Sequence, residues 1–269
     1  MFRQRLITAI VLAVLAPVAV WTLSLWVLAG ALLLIVAVAS DEWSRLNGLV
    51  GWDRLLYMAL IVALSLGSLM LPVWPLLAIG VASWLWLLAE LMIVGRRLDH
   101  GLFGQRWRRM LTGALILVPA WRALVVIGAA PDGRRRLLLL GALVATADIA
   151  AYVSGRCFGR HSLAPHVSPG KTMEGVIGGV LGVALLGYAT GIGLFGLAGW
   201  GLVVWVSAAC LLALASVVGD LTESRAKRIA GVKDSGSLLP GHGGILDRID
   251  GFTAAAPIYA LAWLWLGHY

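Results

Sequence analysis

The chain has 269 residues, 61% of them hydrophobic, and a formal net charge of +8. Soluble domains carry roughly 45–50% apolar residues, so a water-soluble globular fold is excluded, and the mean hydropathy of +0.93 places most of the chain in lipid. The positive balance does not call for nucleic acid, because a membrane protein distributes its cations by topology, and no nucleic-acid partner is expected.

Crossing an apolar layer of ~30 Å takes about 20 helical residues. Apolar windows recur near 6–22, 24–40, 54–71, 73–94, 110–128, 136–154, 174–196, 200–219 and 251–267. None alternates with period two, which a β-barrel would need. The expected fold is therefore all-α, a polytopic integral membrane bundle of about nine transmembrane helices. The first window follows Met1–Arg5 and runs on without a cleavage site, so it is read as a retained helix rather than a signal peptide. Residues 1–130 form a transmembrane scaffold in which no chemistry is found. Glu90 stands out there, since a carboxylate inside a span is costly, but Arg96 and Arg97 lie close enough for it to snorkel toward them. Residues 131–269 form the catalytic region, with cytoplasmic loops at 155–174 and 221–250. Cys157 and Cys210 are lone thiols with neither metal nor disulfide spacing.

With the N-terminus in the cytoplasm, every one of the 21 lysines and arginines falls on that side except Arg122, Arg134, Arg135 and Arg136. The positive-inside bias then puts both loops in the cytoplasm, at the inner membrane. The cluster at 134–136 is a misfit, which a re-entrant 110–128 segment or a wrong segment count would explain.

Asp148 lies near the end of its apolar segment and should face protein or water. The loop after it carries Ser168, Lys171 and Thr172 directly before the next helix, where free N–H groups and the positive dipole end suit an anion; a plain helix cap is the alternative. The segment from Ser224 to Asp250 is the most charged of the chain. Asp220 is expected to close one apolar helix and Asp247 to open the approach to the last, so that a folded-back loop brings the two together, with Asp250 on the same face as Asp247. One or two carboxylates completed by water and phosphate oxygens are what Mg²⁺ prefers. Lys227, Arg228 and Lys233 supply positive charge for a polyphosphate, and Gly241, Gly243 and Gly244 around His242 let backbone amides approach an oxyanion. A simple charged helix end with surface ion pairs competes with this reading. Neither a P-loop nor a GxGxxG motif is present.

At these residues the chain resembles the phosphatidate cytidylyltransferases, the CDP-diacylglycerol synthases. One block stands here as Ser224, Lys227-Arg228, Lys233-Asp234, Pro240, His242-Gly243-Gly244 and Asp247-Arg248-Ile249-Asp250. The other stands as Asp148, Ala151, Tyr152, Gly155, Arg156, Gly159, Ser168, Pro169, Lys171, Thr172, Glu174 and Gly175. Arg225 and Ala226 replace a more apolar pair, and Gly170 and Met173 replace a lysine and a tryptophan. The resemblance implies CTP and phosphatidate as substrates, CDP-diacylglycerol and pyrophosphate as products, and Mg²⁺ as cofactor, with a second cation left open. Asp220, Asp247 and Asp250 are the expected metal ligands. Lys227, Arg228, Lys233, Asp234 and Asp148 are expected to be catalytic. Ser168, Lys171, Thr172, Ser224, His242, Gly243, Gly244 and Arg248 are expected to bind substrate. A homodimer is an open expectation. Two alternatives remain: a CTP-dependent transferase acting on an ether-lipid phosphate, and a transporter using Glu90 and Asp148.

Overall fold

The computed structural model describes residues 2–94, 98–99, 101–238 and 243–267, with the backbone alone for residues 2–7, 9 and 94. Among them, nine α-helices follow one another: α1 (Phe2–Thr22), α2 (Leu25–Leu46), α3 (Gly51–Gly67), α4 (Val73–Val94), α5 (Arg106–Ala129), α6 (Gly133–Phe158), α7 (Met173–Gly193), α8 (Gly199–Ile229) and α9 (Leu246–Leu266). A small antiparallel hairpin, β1 (Ser162–Ala164) and β2 (Ser168–Thr172), sits between α6 and α7. Eight of the helices are long and apolar enough to cross a membrane, and α1 carries a shorter apolar stretch, Ile10–Thr22. The protein is an all-α polytopic bundle, as its apolar windows require.

Lipid offers the backbone no hydrogen-bond partner, so the helices close their own bonds and meet through shape and a few polar tips. α5 and α9 lie innermost. Trp43, Trp121, Leu117 and Ile61 fill one core between α2, α3 and α5. Trp205, Tyr259 and Leu140 fill the other, between α6, α8 and α9. Two of these indoles also find an acceptor: Trp121 Nε1 donates to the Ala29 carbonyl at 3.1 Å and Trp205 Nε1 to that of Gly187 at 2.8 Å. α8 and α9 cross closely at Gly219 and Gly251, where a Cβ would meet the Asp250 carbonyl and the Ser216 hydroxyl respectively.

Three expectations change. α5 is a full 24-residue span and not re-entrant, and it joins α6 through a tight turn in which Asp132 adopts φ 54°. Arg134–Arg136 are therefore the first turn of α6, where Arg135 pairs with Asp132 at 3.4 Å and Arg136 stacks over Trp263 at 4.2 Å. α8 does not end at Asp220 but continues to Ile229, because nothing between them breaks a helix. An i,i+4 pair, Glu223–Lys227 at 2.7 Å, reinforces the extension, and Gly231 with φ +71° follows its end. Glu90 pairs with Arg225 of α8 at 3.3 Å and accepts from Leu102 N at 2.7 Å and Trp86 Nε1 at 2.9 Å; Arg96 and Arg97 lie outside the described residues.

Candidate active site

A cavity of about 510 Å³ opens between α6, β2, α7 and α8. One end is polar, lined by Asp148, Tyr152 and Arg156 of α6, Lys171 and Thr172 of β2, and Asp220 of α8; the floor is apolar, with Ala147, Ala151, Val176, Val180 and Ala213. Lys171 Nζ lies 2.5 Å from Asp220 Oδ2, which ties the first motif block to α8 one turn before the second block begins. Ser224, one turn further along α8, donates to Asp220 Oδ1 at 3.3 Å, and Arg156 donates to the Tyr152 hydroxyl at 2.8 Å. Asp250, at the start of α9, is in Coulombic reach of both Asp148 and Asp220, and Arg248 in reach of Asp148. Three carboxylates from three helices thus converge around one lysine. The extension of α8 is what places Asp220, Ser224, Lys227 and Arg228 on successive turns of a rigid rod instead of a loop.

The hairpin is tied to α7 on its other side. Thr172 caps that helix by accepting the Gly175 N–H at 3.1 Å, so its hydroxyl serves the fold as the cap alternative anticipated. Glu174 accepts from Arg160 N at 3.1 Å and meets His161 Nδ1 at 2.6 Å. Ser168 opens β2 and is half-buried. Arg228 donates to the Val167 carbonyl at 3.3 Å. These bonds hold Lys171 at the cavity mouth.

Asp247 is turned to a different set of partners. Its Oδ1 lies 2.5 Å from Lys227 Nζ, and its Oδ2 accepts from Gly244 N at 2.7 Å, Ser235 Oγ at 2.9 Å and Ser235 N at 3.0 Å. Lys227 is shared with Glu223. Glu42 of α2, fully buried, closes this knot from the opposite half of the chain: it accepts from Leu246 N at 2.8 Å, Ile245 N at 3.0 Å and Ser235 Oγ at 3.0 Å. A carboxylate against the first N–H groups of α9 satisfies donors that a helix start leaves open. Gly243 and Gly244 serve here as well, since a Cβ on Gly244 would strike the Ser235 hydroxyl and Glu42 Oε2, and one on Gly243 would lie 2.5 Å from Asp247 Oδ2. The Gly244 amide is thereby committed to the Asp247 carboxylate. Arg228, Lys233, Asp234 and Arg248 are exposed. His242, with Pro240 and Gly241, lies outside the described residues.

The structure therefore divides the expected ligand trio. Asp220 and Asp250 join Asp148 and Lys171, while Asp247 joins Lys227, Ser235 and Glu42. Glu42 is the residue that sequence reasoning missed, and the available signal was a Ser40-Asp41-Glu42 run at the end of an apolar segment. Among the described residues, no group of three or more His, Cys, Asp and Glu is arranged to enclose a metal ion. Mg²⁺ does not need such a cage, since one or two carboxylates plus phosphate oxygens suffice. The all-oxygen set of Asp220, Asp250 and Asp148 fits that chemistry, whereas both oxygens of Asp247 are already engaged.

Fold and cavity together define a membrane-embedded helical protein whose charged pocket, at the ends of its spans, is equipped for anionic phosphates. The chain belongs to the cytidylyltransferase family, whose sequence profile matches residues 3–265. It is similar to the phosphatidate cytidylyltransferase of Pseudomonas aeruginosa, 41% identical over 266 residues that cover 98% of this chain and 97% of that one. It is also 35% identical to the protein of the same name from Brucella suis over 277 residues, covering 96% and 92% of the two chains.

Proposed function

We propose that the protein transfers CMP from CTP to phosphatidate, giving CDP-diacylglycerol and pyrophosphate, with Mg²⁺ as cofactor. The observation that carries this reading is the Lys171–Asp220 contact, which, with the Ser224 hydroxyl on the same carboxylate, brings residues of both motif blocks to one cavity. The relatives are bacterial, and the cation bias of the loops supports a site on the cytoplasmic side of the inner membrane.

The phosphate oxygen of phosphatidate attacks the α-phosphorus of CTP, the bond from that phosphorus to the bridging oxygen breaks, and pyrophosphate leaves with the electron pair. The nucleophile is already an anion, so no strong base is needed; the task is to bring two polyanions together and to stabilise charge as it moves. When bound, Mg²⁺ would supply Lewis-acid charge stabilisation at the nucleotide phosphates, held by Asp220 and Asp250 with Asp148 beside them. Lys171, at the cavity mouth beside Asp220, is placed to take a phosphate oxygen. The exposed residues Arg228, Lys233 and Arg248 would supply the positive charge that receives the nucleotide phosphates. Asp247, Lys227 and Glu42 act indirectly: they fix the start of α9, and with it Asp250.

The test is turnover by purified protein supplied with phosphatidate, Mg²⁺ and CTP radiolabelled at the α-phosphate. Label should pass into CDP-diacylglycerol, and a chelator should stop the transfer. Absence of labelled lipid from active-folded protein would sink the reading.

A further inference from the structure

Beside the charged cavity lies a second, apolar chamber of about 690 Å³, bounded by α1, α2, α5, α6 and α9. That volume is within the roughly 300–1,000 Å³ that holds a single small molecule. Two lining residues carry polar donors, and both donors are already used: Trp121 Nε1 on the Ala29 carbonyl and Thr253 Oγ1 on that of Asp250, at 2.6 Å. With no wall group wanting a polar partner, the matching occupant is hydrocarbon.

The position of the chamber says which hydrocarbon. On α6, Gly141 and Ala145 line the chamber while Asp148 and Tyr152 line the charged cavity. Spacings of four, three and four put these residues on one helix face. Three residues, ~4.5 Å of rise, separate the last chamber residue from the first cavity carboxylate. On α9, Ile249 lines the chamber and its neighbour Asp250 is in Coulombic reach of Asp148 and Asp220. Along α6 the chamber extends from Leu137 to Ala145, about 12 Å at helical rise, within the membrane-crossing part of that helix.

We infer that one acyl chain of the lipid substrate descends along this face of α6 into the chamber while its phosphate occupies the charged cavity. The inference rests on the lipid-phosphate reading given above. Bilayer tails are as apolar as the chamber walls, so little free energy is gained by moving a chain from one to the other. The chamber's contribution is registration: a chain held at fixed depth holds the attached phosphate at a fixed distance from Asp148 and Lys171, and misplacement of reacting groups by about 1 Å costs ~100-fold in rate.

Gly141→Phe tests this, because a Cβ at Gly141 meets nothing within 4 Å and the ring would grow into open space. With dioleoyl phosphatidate, kcat/KM should fall about tenfold to a hundredfold, while with dihexanoyl phosphatidate, whose short chains fill little of the chamber, the loss should be several-fold smaller, and the KM for CTP should be unchanged. Equal loss on both lipids, or no loss on either, overturns the inference. Should the variant fail to fold, the unaltered protein answers through a phosphatidate bearing a photoreactive group at mid-chain. Adducts within 12–20, 28–36, 120–124, 137–145 or 249–253 that excess dioleoyl phosphatidate removes support the chamber; adducts elsewhere, or insensitive to that competition, overturn it. Failure of the unaltered protein to transfer CMP to either lipid is a separate result, which sinks the functional reading instead.

Discussion

The charged cavity and the knot around Asp247 are made of the same residue types, lysine and carboxylates drawn from helix ends, yet they differ in how fully their oxygens are used. In the knot, Asp247 is 6% exposed at its side chain and both of its oxygens have partners. In the cavity, Asp220 is 43% exposed and held chiefly by Lys171, a side chain that can leave. Saturated, buried carboxylates lock architecture, because each lost bond would strand a charge away from water. Carboxylates with spare lone pairs facing open space are available to ligands. A motif residue's chemistry is therefore decided by what its neighbours have already taken.

Several substitutions would break or sharpen this contrast. The largest effect is expected on the knot side: Lys227→Met removes the cation paired with both Glu223 and Asp247, and stranding buried charge typically costs ~3–5 kcal/mol. The variant should show a clearly lowered unfolding midpoint in detergent together with lost turnover; an unshifted midpoint would mean the knot is not structural. On the cavity side, Asp220→Asn should slow turnover a hundredfold or more, about 3–4 kcal/mol in the barrier, at an unchanged midpoint. Comparable melting losses in both variants would erase the distinction. Glu42→Gln places an amide where α9 presents N–H groups, and leaving one buried donor unmet costs ~1–3 kcal/mol. Its midpoint should drop measurably less than that of Lys227→Met, with activity retained in the folded fraction at low temperature. Thr172→Ala is the mildest, ~1 kcal/mol for a lost helix cap, read as faster amide exchange at the start of α7 with residual turnover.

Most of the fold was legible because membrane spans are written as long apolar runs, and all nine windows coincide with helices. Much of the candidate site was legible too, since Asp148, Lys171 and Asp250 stand in two recognisable blocks and Asp220 is an acidic residue at the end of an apolar run. Three particulars were not. The reach of α8 to Ile229 was obscured by its charge, although helix-forming residues with no glycine or proline before Gly231 carried the signal. The Glu90–Arg225 pair accounts for an arginine where the family resemblance anticipates an apolar residue: Arg225 is 1% exposed, stacks on Phe103 at 4.4 Å and donates to the Leu98 carbonyl at 2.7 Å. Glu42 lies 203 positions before Ile245, whose amide it accepts, and no local pattern couples positions so far apart.

Local order thus came from the chain's own pattern: which stretches enter lipid, where helices begin, and which side chains can carry phosphate chemistry. Partnership came from packing. Whether Asp247 looks toward a nucleotide or toward Lys227, and whether a glutamate from the scaffold half joins the last helix, depends on helices brought together across the bundle, because hydrogen bonds and Coulombic attraction act over a few ångströms of space however many residues separate the groups along the chain.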